Sequence, residues 1–143
     1  MSKPIRILLI ILGALLALLI VGPFLVPVHP LQDTLPVQAL ADPDSRFVQV
    51  KGIRVHYKRY GQGEAVFLLL HGFAASLFTW QRVAEPLGEI GTVIAFDRPA
   101  FGLTQRPMRN EWGDENPYTQ AFQVELIAGL MDDLEVEQAI LVG

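Results

Sequence analysis

The sequence predicts an α/β fold, with a doubly wound and mostly parallel sheet that follows one N-terminal apolar helix. Apolar runs at 65–70, 92–96 and 138–142 have the length of buried strands, and segments with helical periodicity separate them. Strands that alternate with helices form parallel sheets covered by helices on both faces. The apolar helix is predicted from a separate, unbroken run of leucine and isoleucine near the N-terminus.

That N-terminal run is long enough to cross a membrane. Every residue from 7 to 28 is apolar, glycine or proline, whereas a helix needs about 20 such residues to span a hydrocarbon core. Lys3 and Arg6 precede the run, which favours a cytoplasmic N-terminus and a domain outside the cytoplasm. We expect a single-pass anchor that contacts the membrane through residues 7–26. A cleaved signal peptide, which would release a secreted protein, and a buried globular helix are the alternatives.

Composition divides the chain into three predicted parts. Residues 1–26 form the anchor, 27–45 form a proline-containing tether that includes His29, and 46–143 form the N-terminal half of an α/β domain. Prolines are spaced through the tether so that neither a helix nor a strand is expected to propagate. The prolines concerned are Pro27, Pro30, Pro36 and Pro43.

The globular part begins with a predicted β-hairpin. Residues 47–50 and 53–60 alternate apolar and polar side chains on either side of Lys51-Gly52, a pattern typical of two strands with one buried face. The run at 65–70 does not alternate, which indicates a strand covered on both faces. Gly61-Gln62-Gly63 is followed by this strand, whereas the glycine-rich turn of a dinucleotide-binding fold is followed by a helix. Dinucleotide binding is therefore not expected.

Two helices are predicted between the later strands. Ser76 is expected to cap the first, which would run to about Glu85 and be ended by Pro86 and Gly88. The second would be capped by Asn116, with Pro117 in its first turn. Between strand 92–96 and the second helix, residues 98–116 show no helical period, and a connection of that length is typical of a binding rim or lid. The predicted buried stripes are Leu77, Trp80, Val83, Ala84 and Leu87 in the first helix, and Val124, Ile127, Ala128, Met131 and Leu134 in the second.

Composition excludes several functions. The net charge is −4 and the basic residues do not cluster, so no nucleic-acid partner is expected. The sequence contains no cysteine, which excludes disulfides and thiolate chemistry. Its three histidines are isolated from one another and no carboxylate pair has ligand spacing, so neither a metal nor another cofactor is expected.

The segment from His71 to Ser76 joins a predicted buried strand to a predicted helix. Such a junction lies at the carboxyl edge of a doubly wound sheet, where ligands bind. Gly72 is expected to let the backbone turn without a side-chain clash, and the free amides that begin the helix would point into the crevice. Preorganised amides of this kind can stabilise an oxyanion. A helix cap on a tight turn would give the same pattern.

Three motifs in order make the chain from Phe47 onward resemble the N-terminal half of the α/β-hydrolase superfamily. They are His71-Gly72-Phe73, the segment Asp97 to Thr104, and the terminal Leu141-Val142-Gly143. The last resembles the strand that enters a nucleophile elbow. The sequence therefore predicts a chain that stops just before its nucleophile, which would lie two positions beyond Gly143.

The resemblance implies roles for several residues. The backbone N–H of Phe73 would be one of two oxyanion donors, and the nucleophile, the acid and the catalytic histidine would lie beyond the chain. Ala100 and Thr104 stand where the family commonly has glycine and serine. Residues implied to shape the motifs are His71, Gly72, Asp97, Gly102 and Gly143. Aromatic residues that could line an apolar pocket include Phe101 and Trp112.

The function implied for the full-length protein is serine-type hydrolysis of an ester or similar small apolar substrate through an acyl-enzyme. None of the serines present, Ser2, Ser45 and Ser76, lies in an elbow motif, so the chain alone is expected to be inactive. One alternative is an aspartate nucleophile, as in epoxide hydrolases and haloalkane dehalogenases. Another is a non-catalytic, tethered module that binds a small molecule or partner protein. The oligomeric state is left open.

Overall fold

The computed structural model describes residues 2–27 and 32–143, and the chain divides into two compact units, Met1–Thr34 and Leu35–Gly143. In the first, helix α1 spans Lys3–Leu25 and continues through Pro23. By length and composition α1 is able to cross a membrane, properties that a signal sequence shares. Residues 28–31 of the predicted tether, His29 among them, lie outside the described residues.

The described part of the tether is not wholly irregular, contrary to the prediction. A four-residue helix, α2, forms at Val37–Leu40. Pro36 immediately precedes it in an extended conformation, and proline is tolerated at a helix start because its missing N–H would have no partner there. The proline spacing therefore limits the length of a helix and does not prevent one.

The second unit contains a five-stranded mixed sheet in the order β1-β2-β4-β3-β5. Strands β1 and β2 are antiparallel to their neighbours, whereas β3, β4 and β5 are parallel to one another. The strands are β1 (Arg46–Val50), β2 (Ile53–Tyr60), β3 (Val66–Leu70), β4 (Thr92–Phe96) and β5 (Ile140–Val142). The predicted α/β fold class is confirmed, with parallel pairing among β3, β4 and β5.

The β1–β2 hairpin turns at the predicted dipeptide. Val50 pairs with Ile53, so Lys51 and Gly52 form a two-residue turn. Both have positive φ, 48° and 79°, which matches the twist of the flanking strands. The Lys51 ammonium reaches Glu125 and Glu115, and it lies 5.1 Å from the centre of the Phe122 ring.

Helices cover both faces of the sheet because neighbouring residues along β3 and β4 point in opposite directions. Helix α3 spans Gln81–Gly88 and helix α4 spans Gln120–Asp133. The α4 face buries Leu68, Ile94 and Phe96 against Phe122, Leu126 and Leu130. The α3 face buries Leu69, Val93 and Ala95 against Leu77 and Ala84. The sheet is therefore doubly wound, as the sequence predicts.

The first predicted helix differs in its ends and in its stripe. Ser76 caps a 3-10 turn, Leu77–Trp80, by accepting a hydrogen bond from Phe78 N–H, and α3 follows directly. The helix does not stop at Glu85 but runs through Pro86 to Gly88. Pro86 lies in the second turn of α3, where the N–H that it lacks would have donated to the Arg82 carbonyl, so α3 gives up one hydrogen bond and ends two residues later. Val83, placed in the buried stripe, is 43% exposed.

The second predicted helix begins later than expected. Thr119, and not Asn116, caps α4 by accepting a hydrogen bond from Phe122 N–H, while Asn116 Oδ1 accepts one from Tyr118 N–H in the preceding turn. Pro117 therefore lies before the helix. The stripe is rotated as well: Val124, expected to be buried, is 67% exposed. The buried positions are Phe122, Leu126 and Leu130, and of the predicted residues Ile127, Met131 and Leu134 pack partly buried against them.

The long connection between β4 and α4 is irregular except for a 3-10 turn at Arg109–Glu111. Its first half folds back against the sheet: Gln105 N–H donates to the Arg54 carbonyl, and the Gln105 side chain accepts from Arg54 N–H at 3.0 Å. This pairing holds the loop beside the end of β4, where the candidate site lies.

Candidate active site

The ends of β3 and β5 lie side by side at the carboxyl edge of the sheet. Leu69 is opposite Val142 in the parallel register. Gly143 follows β5 and lies next to the end of β3: a Cβ built on Gly143 would lie 3.5 Å from the Leu70 carbonyl oxygen. A residue that followed Gly143 would therefore emerge beside the turn that begins at His71.

His71 ties that turn to the loop after β4. Its side chain is 1% exposed. Arg98 N–H donates to His71 Nε2 at 3.0 Å, so Nδ1 carries the ring proton and donates to the Gly72 carbonyl at 2.8 Å. Both ring nitrogens are thus used in holding backbone, and within the described residues His71 contacts no carboxylate.

The amide of Phe73 belongs to the peptide that His71 holds. Its N–H shares a trans peptide plane with the Gly72 carbonyl and so points away from the His71 ring. Across residues 32–143 we find no protein acceptor for this N–H, and the Phe73 side chain is 91% exposed. An open, oriented donor of this kind is what oxyanion stabilisation requires.

The backbone strain of this turn lies two residues beyond the predicted glycine. Gly72 does not have a positive φ, and a Cβ built on it meets nothing within 4 Å. The steric reason given for Gly72 is therefore not found in the structure. Ala74 takes the left-handed conformation instead, with φ 57°, at a cost of about 1–2 kcal/mol for a residue that carries a Cβ.

Asp97, at the end of β4, joins three segments. Its side chain is 1% exposed. Leu77 N–H donates to Oδ1 at 2.8 Å, Leu103 N–H donates to Oδ2 at 2.9 Å, and His56 Nδ1 lies 2.7 Å from Oδ2. Burial raises the pKa of the carboxyl, but the hydrogen bonds from His56, Leu77 and Leu103 outweigh burial and leave the pKa of Asp97 below its ordinary value of 3.8.

Gly102 allows the loop after β4 to close over this carboxylate. Its φ is +48°, and a Cβ at this position would lie 1.9 Å from Asp97 Oδ2. Any other residue would displace the carboxylate. Thr104 adds two hydrogen bonds that hold the loop against β2 and the end of β4: its hydroxyl donates to the Asp97 carbonyl at 2.7 Å and accepts from His56 N–H at 2.8 Å.

The two aromatic pocket candidates lie in different places. Phe101 packs edge-on against His71, with ring centres 5.5 Å apart, and against Phe73, at 6.0 Å. Trp112 packs against Tyr118 at 5.6 Å and donates its indole N–H to the Pro107 carbonyl. The structure therefore brings Phe101 to the predicted oxyanion turn and places Trp112 in a separate cluster.

Sequence reasoning missed three residues around this edge. Ser45 Oγ lies 2.9 Å from His56 Nε2, a contact that the sequence does not indicate. The Arg98 guanidinium links the His71 carbonyl to Gln123 of α4. Their partners are distant in sequence, and the only available signal was position: His56 at mid-strand in a hairpin, and Arg98 directly after Asp97.

Comparison with known protein families gives a match to most of the second unit. Residues 65–143 match the family described as alpha/beta hydrolase fold. The chain belongs to the α/β-hydrolase family.

Relatives of this α/β hydrolase include enzymes named for hydrolysis. It is 33% identical over 102 residues to the uncharacterized hydrolase YugF of Bacillus subtilis, covering 71% of this chain and 35% of that protein. It is 31% identical over 103 residues to epoxide hydrolase A of Mycobacterium tuberculosis, covering 71% and 30%. A crystal structure of an epoxide hydrolase from Vigna radiata matches with a TM-score of 0.60 and 33% identity, over 68% of this chain and 30% of that one. The chain thus spans about a third of the length of these relatives.

Proposed function

We propose that this chain is the N-terminal part of a membrane-anchored hydrolase whose nucleophile lies two positions beyond Gly143. The observation that carries the proposal is the adjacency of β3 and β5. Since Gly143 lies beside Leu70, a strand-to-helix turn after it would present position 145 next to the oriented Phe73 N–H. A nucleophile and an oxyanion donor would then face the same substrate atom.

The first candidate is a serine nucleophile acting on an ester or similar small apolar substrate. Attack of the serine oxygen on the carbonyl carbon would form a tetrahedral oxyanion, which the Phe73 N–H would stabilise, and loss of the alcohol would leave an acyl-enzyme. Phe101 packs against Phe73, and together these rings provide an apolar surface beside the donor. His71 serves here by holding the Gly72–Phe73 peptide in place, and it takes no proton from substrate.

The second candidate is an aspartate nucleophile that opens an epoxide. The names of the relatives favour it, since the M. tuberculosis protein and the Vigna radiata structure are both called epoxide hydrolases. Attack by the carboxylate would give an ester intermediate, and hydrolysis of that ester passes through the same kind of oxyanion. The Phe73 amide would serve either reaction, so the residue at position 145 separates the two.

The anchor is the third element of the proposal. Helix α1 has a mean hydropathy of 2.9 over its most apolar window and no buried residues in that window. Together with Lys3 and Arg6 near its start, this supports a single-pass anchor with the domain outside the cytoplasm. A protein found only in the soluble fraction after membranes are pelleted, with an N-terminus beyond residue 26, would instead indicate a cleaved signal.

The test is an assay of the protein encoded by the reading frame past Gly143. We expect turnover of a p-nitrophenyl ester if position 145 is serine, or of styrene oxide if it is aspartate, and loss of that turnover when position 145 is changed to alanine. The 143-residue chain should turn over neither substrate. Turnover by the 143-residue chain, or turnover by the longer protein that survives the alanine change, would contradict the proposal.

A further inference from the structure

A second hydrogen-bonded chain of side chains lies apart from the Phe73 turn. Ser45 Oγ is 2.9 Å from His56 Nε2, and His56 Nδ1 is 2.7 Å from Asp97 Oδ2. Ser45 immediately precedes β1, and the three residues come from three separate segments of the fold. A hydroxyl, an imidazole and a carboxylate in this order form the pattern by which a base activates a nucleophile and an acid orients the base.

The directions of the hydrogen bonds are set by the neighbouring groups. Asp97 is ionised at neutral pH and only accepts, so His56 Nδ1–H donates to it. When the ring carries this one proton, the other ring nitrogen, Nε2, is an acceptor. Ser45 Oγ already accepts a hydrogen bond from Asp42 N–H at 3.1 Å, so its own proton is available to point at Nε2. In this tautomer the serine hydroxyl donates to Nε2, the atom that would remove its proton.

The base is held rigidly. His56 is 3% exposed and Asp97 is 1% exposed. The His56 ring is packed against Phe47, with centres 5.0 Å apart, and its backbone N–H is bound by the Thr104 hydroxyl. The two amides that bind Asp97, from Leu77 and Leu103, fix the carboxylate from the other side. A fixed acid and base lose little entropy when they act.

Ser45 opens onto a cavity that can hold a ligand. The cavity has a volume of about 450 Å³, and its walls combine apolar side chains with Lys58, Gln81 and the carboxylates of Asp42, Asp44, Glu85 and Asp97. Two side chains that can donate hydrogen bonds line this cavity together with Ser45: Lys58, which is held by Asp42 and Asp44, and Gln81. The apolar wall comes from Leu40, Leu77, Phe78 and Leu103.

We propose that Ser45 is a second nucleophilic site, activated by His56 and Asp97, that is acylated or phosphonylated by small electrophiles with an apolar chain. The Ser45 oxygen forms a bond to the carbonyl carbon or phosphorus while its proton moves to His56 Nε2, and the bond to the leaving group breaks. His56 then returns the proton to the leaving group or to solvent. The proposal concerns this bond-forming step alone and does not depend on the nucleophile proposed beyond Gly143.

The test uses the 143-residue chain in detergent micelles, treated with an alkyl fluorophosphonate. Because position 145 is not in this chain, labelling cannot come from the proposed elbow. We expect one phosphonyl group per chain, mapped to Ser45 by peptide mass spectrometry, and no labelling of the S45A variant. T79A removes an exposed hydroxyl on the 3-10 turn and should label as the unchanged chain does.

Two further measurements separate activation from exposure. The H56Q variant, shown to be folded by circular dichroism, should label more slowly by at least about 100-fold, the usual contribution of a general base. The unchanged chain unfolded in urea should label no faster than H56Q. The proposal is wrong if the folded chain is not labelled, or if Ser45 in the folded chain is labelled no faster than in the urea-unfolded chain. Ser45 would then have only a structural role, through its hydrogen bond to His56. This comparison does not require that H56Q folds.

Discussion

Ala100 is a strained residue in the loop that follows β4. Its φ is 72°, a conformation that costs a residue with a Cβ about 1–2 kcal/mol, and the family commonly has glycine there. The loop nevertheless closes: Phe101 N–H donates to the Arg98 carbonyl at 3.0 Å and Arg106 Nε donates to the Ala100 carbonyl. At the position where this chain departs from the family pattern, a residue with a Cβ therefore adopts a left-handed conformation.

We predict that A100G stabilises the chain. Removing the strain gains more than the added freedom of glycine in the unfolded chain costs, so the free energy of unfolding should rise by about 0.5–1 kcal/mol. Urea unfolding followed by circular dichroism measures this. A128G, in the middle of α4, is the matched control and should destabilise by a similar amount. A loss of stability in A100G would show that the left-handed conformation is not strained.

Asp97 should make stability depend on pH. Its folded pKa lies below the ordinary 3.8 because of its hydrogen bonds to His56, Leu77 and Leu103. A lowered folded pKa means that the contribution of Asp97 is fully present above pH 3.8 and is lost as the pH falls through the folded pKa. The stability advantage of the unchanged chain over D97N should therefore shrink as the pH falls below 3.8. D133N, on α4, should show no such convergence, and parallel curves for all three proteins would contradict the account.

At the scale of elements, the start of α4 shows how a local signal can be misplaced. Asn116 followed by Pro117 resembles a helix start, yet the first helical residue is Gln120. Both Asn116 and Thr119 can accept an amide hydrogen bond, and sequence alone does not say which amide begins the helix. In the structure Asn116 serves the turn, and Thr119 Oγ1 accepts from Phe122 N–H at 3.3 Å.

Removing the true cap should cost more than removing the apparent one. T119A leaves an N-terminal amide of α4 unpaired and should lower the free energy of unfolding by about 1 kcal/mol. T119S keeps a hydroxyl at the cap and should lose much less stability than T119A. N116A should cost less, because its partner amide lies in an exposed turn. Thermal melts of the three variants measure these changes. A larger loss of stability in N116A than in T119A would show that Asn116 is the cap, as predicted from the sequence.

The buried stripe of α4 gives a second prediction at this scale. Leu126 is 0% exposed and contacts the sheet, whereas Val124 is 67% exposed. L126A should destabilise the chain by about 2–5 kcal/mol through loss of contacts and a cavity. V124A should change stability by less than about 0.5 kcal/mol. Equal effects in urea unfolding would show that the stripe follows the sequence-predicted face.

At the scale of the whole molecule, the fold could be predicted from sequence because its strands are continuous apolar runs. The runs at 65–70 and 92–96 bury both faces in the structure, and their alternate residues face α3 and α4. The hairpin was also predictable, since Gly52 tolerates the positive φ that a two-residue hairpin turn requires, and Lys51 adopts one as well. Each of these signals lies within a few consecutive residues.

The candidate site was less predictable because its contacts are long-range. The turn after β3 could be placed at the carboxyl edge, but its left-handed residue is Ala74 and not Gly72. The links of Asp97 to His56 and of His56 to Ser45 join residues 41 and 11 positions apart. No spacing rule connects them, because only the pairing of β2 with β4 brings His56 to the end of β4.

The central claim is that the Phe73 amide and a nucleophile after β5 form one active site. The most direct measurement is mass spectrometric mapping of the covalent intermediate trapped on the protein encoded past Gly143, using a slow ester or an epoxide substrate. The account predicts an adduct on position 145, and that this residue is serine or aspartate. An intermediate mapped to any residue between 46 and 143, or a residue at position 145 that cannot act as a nucleophile, would contradict it.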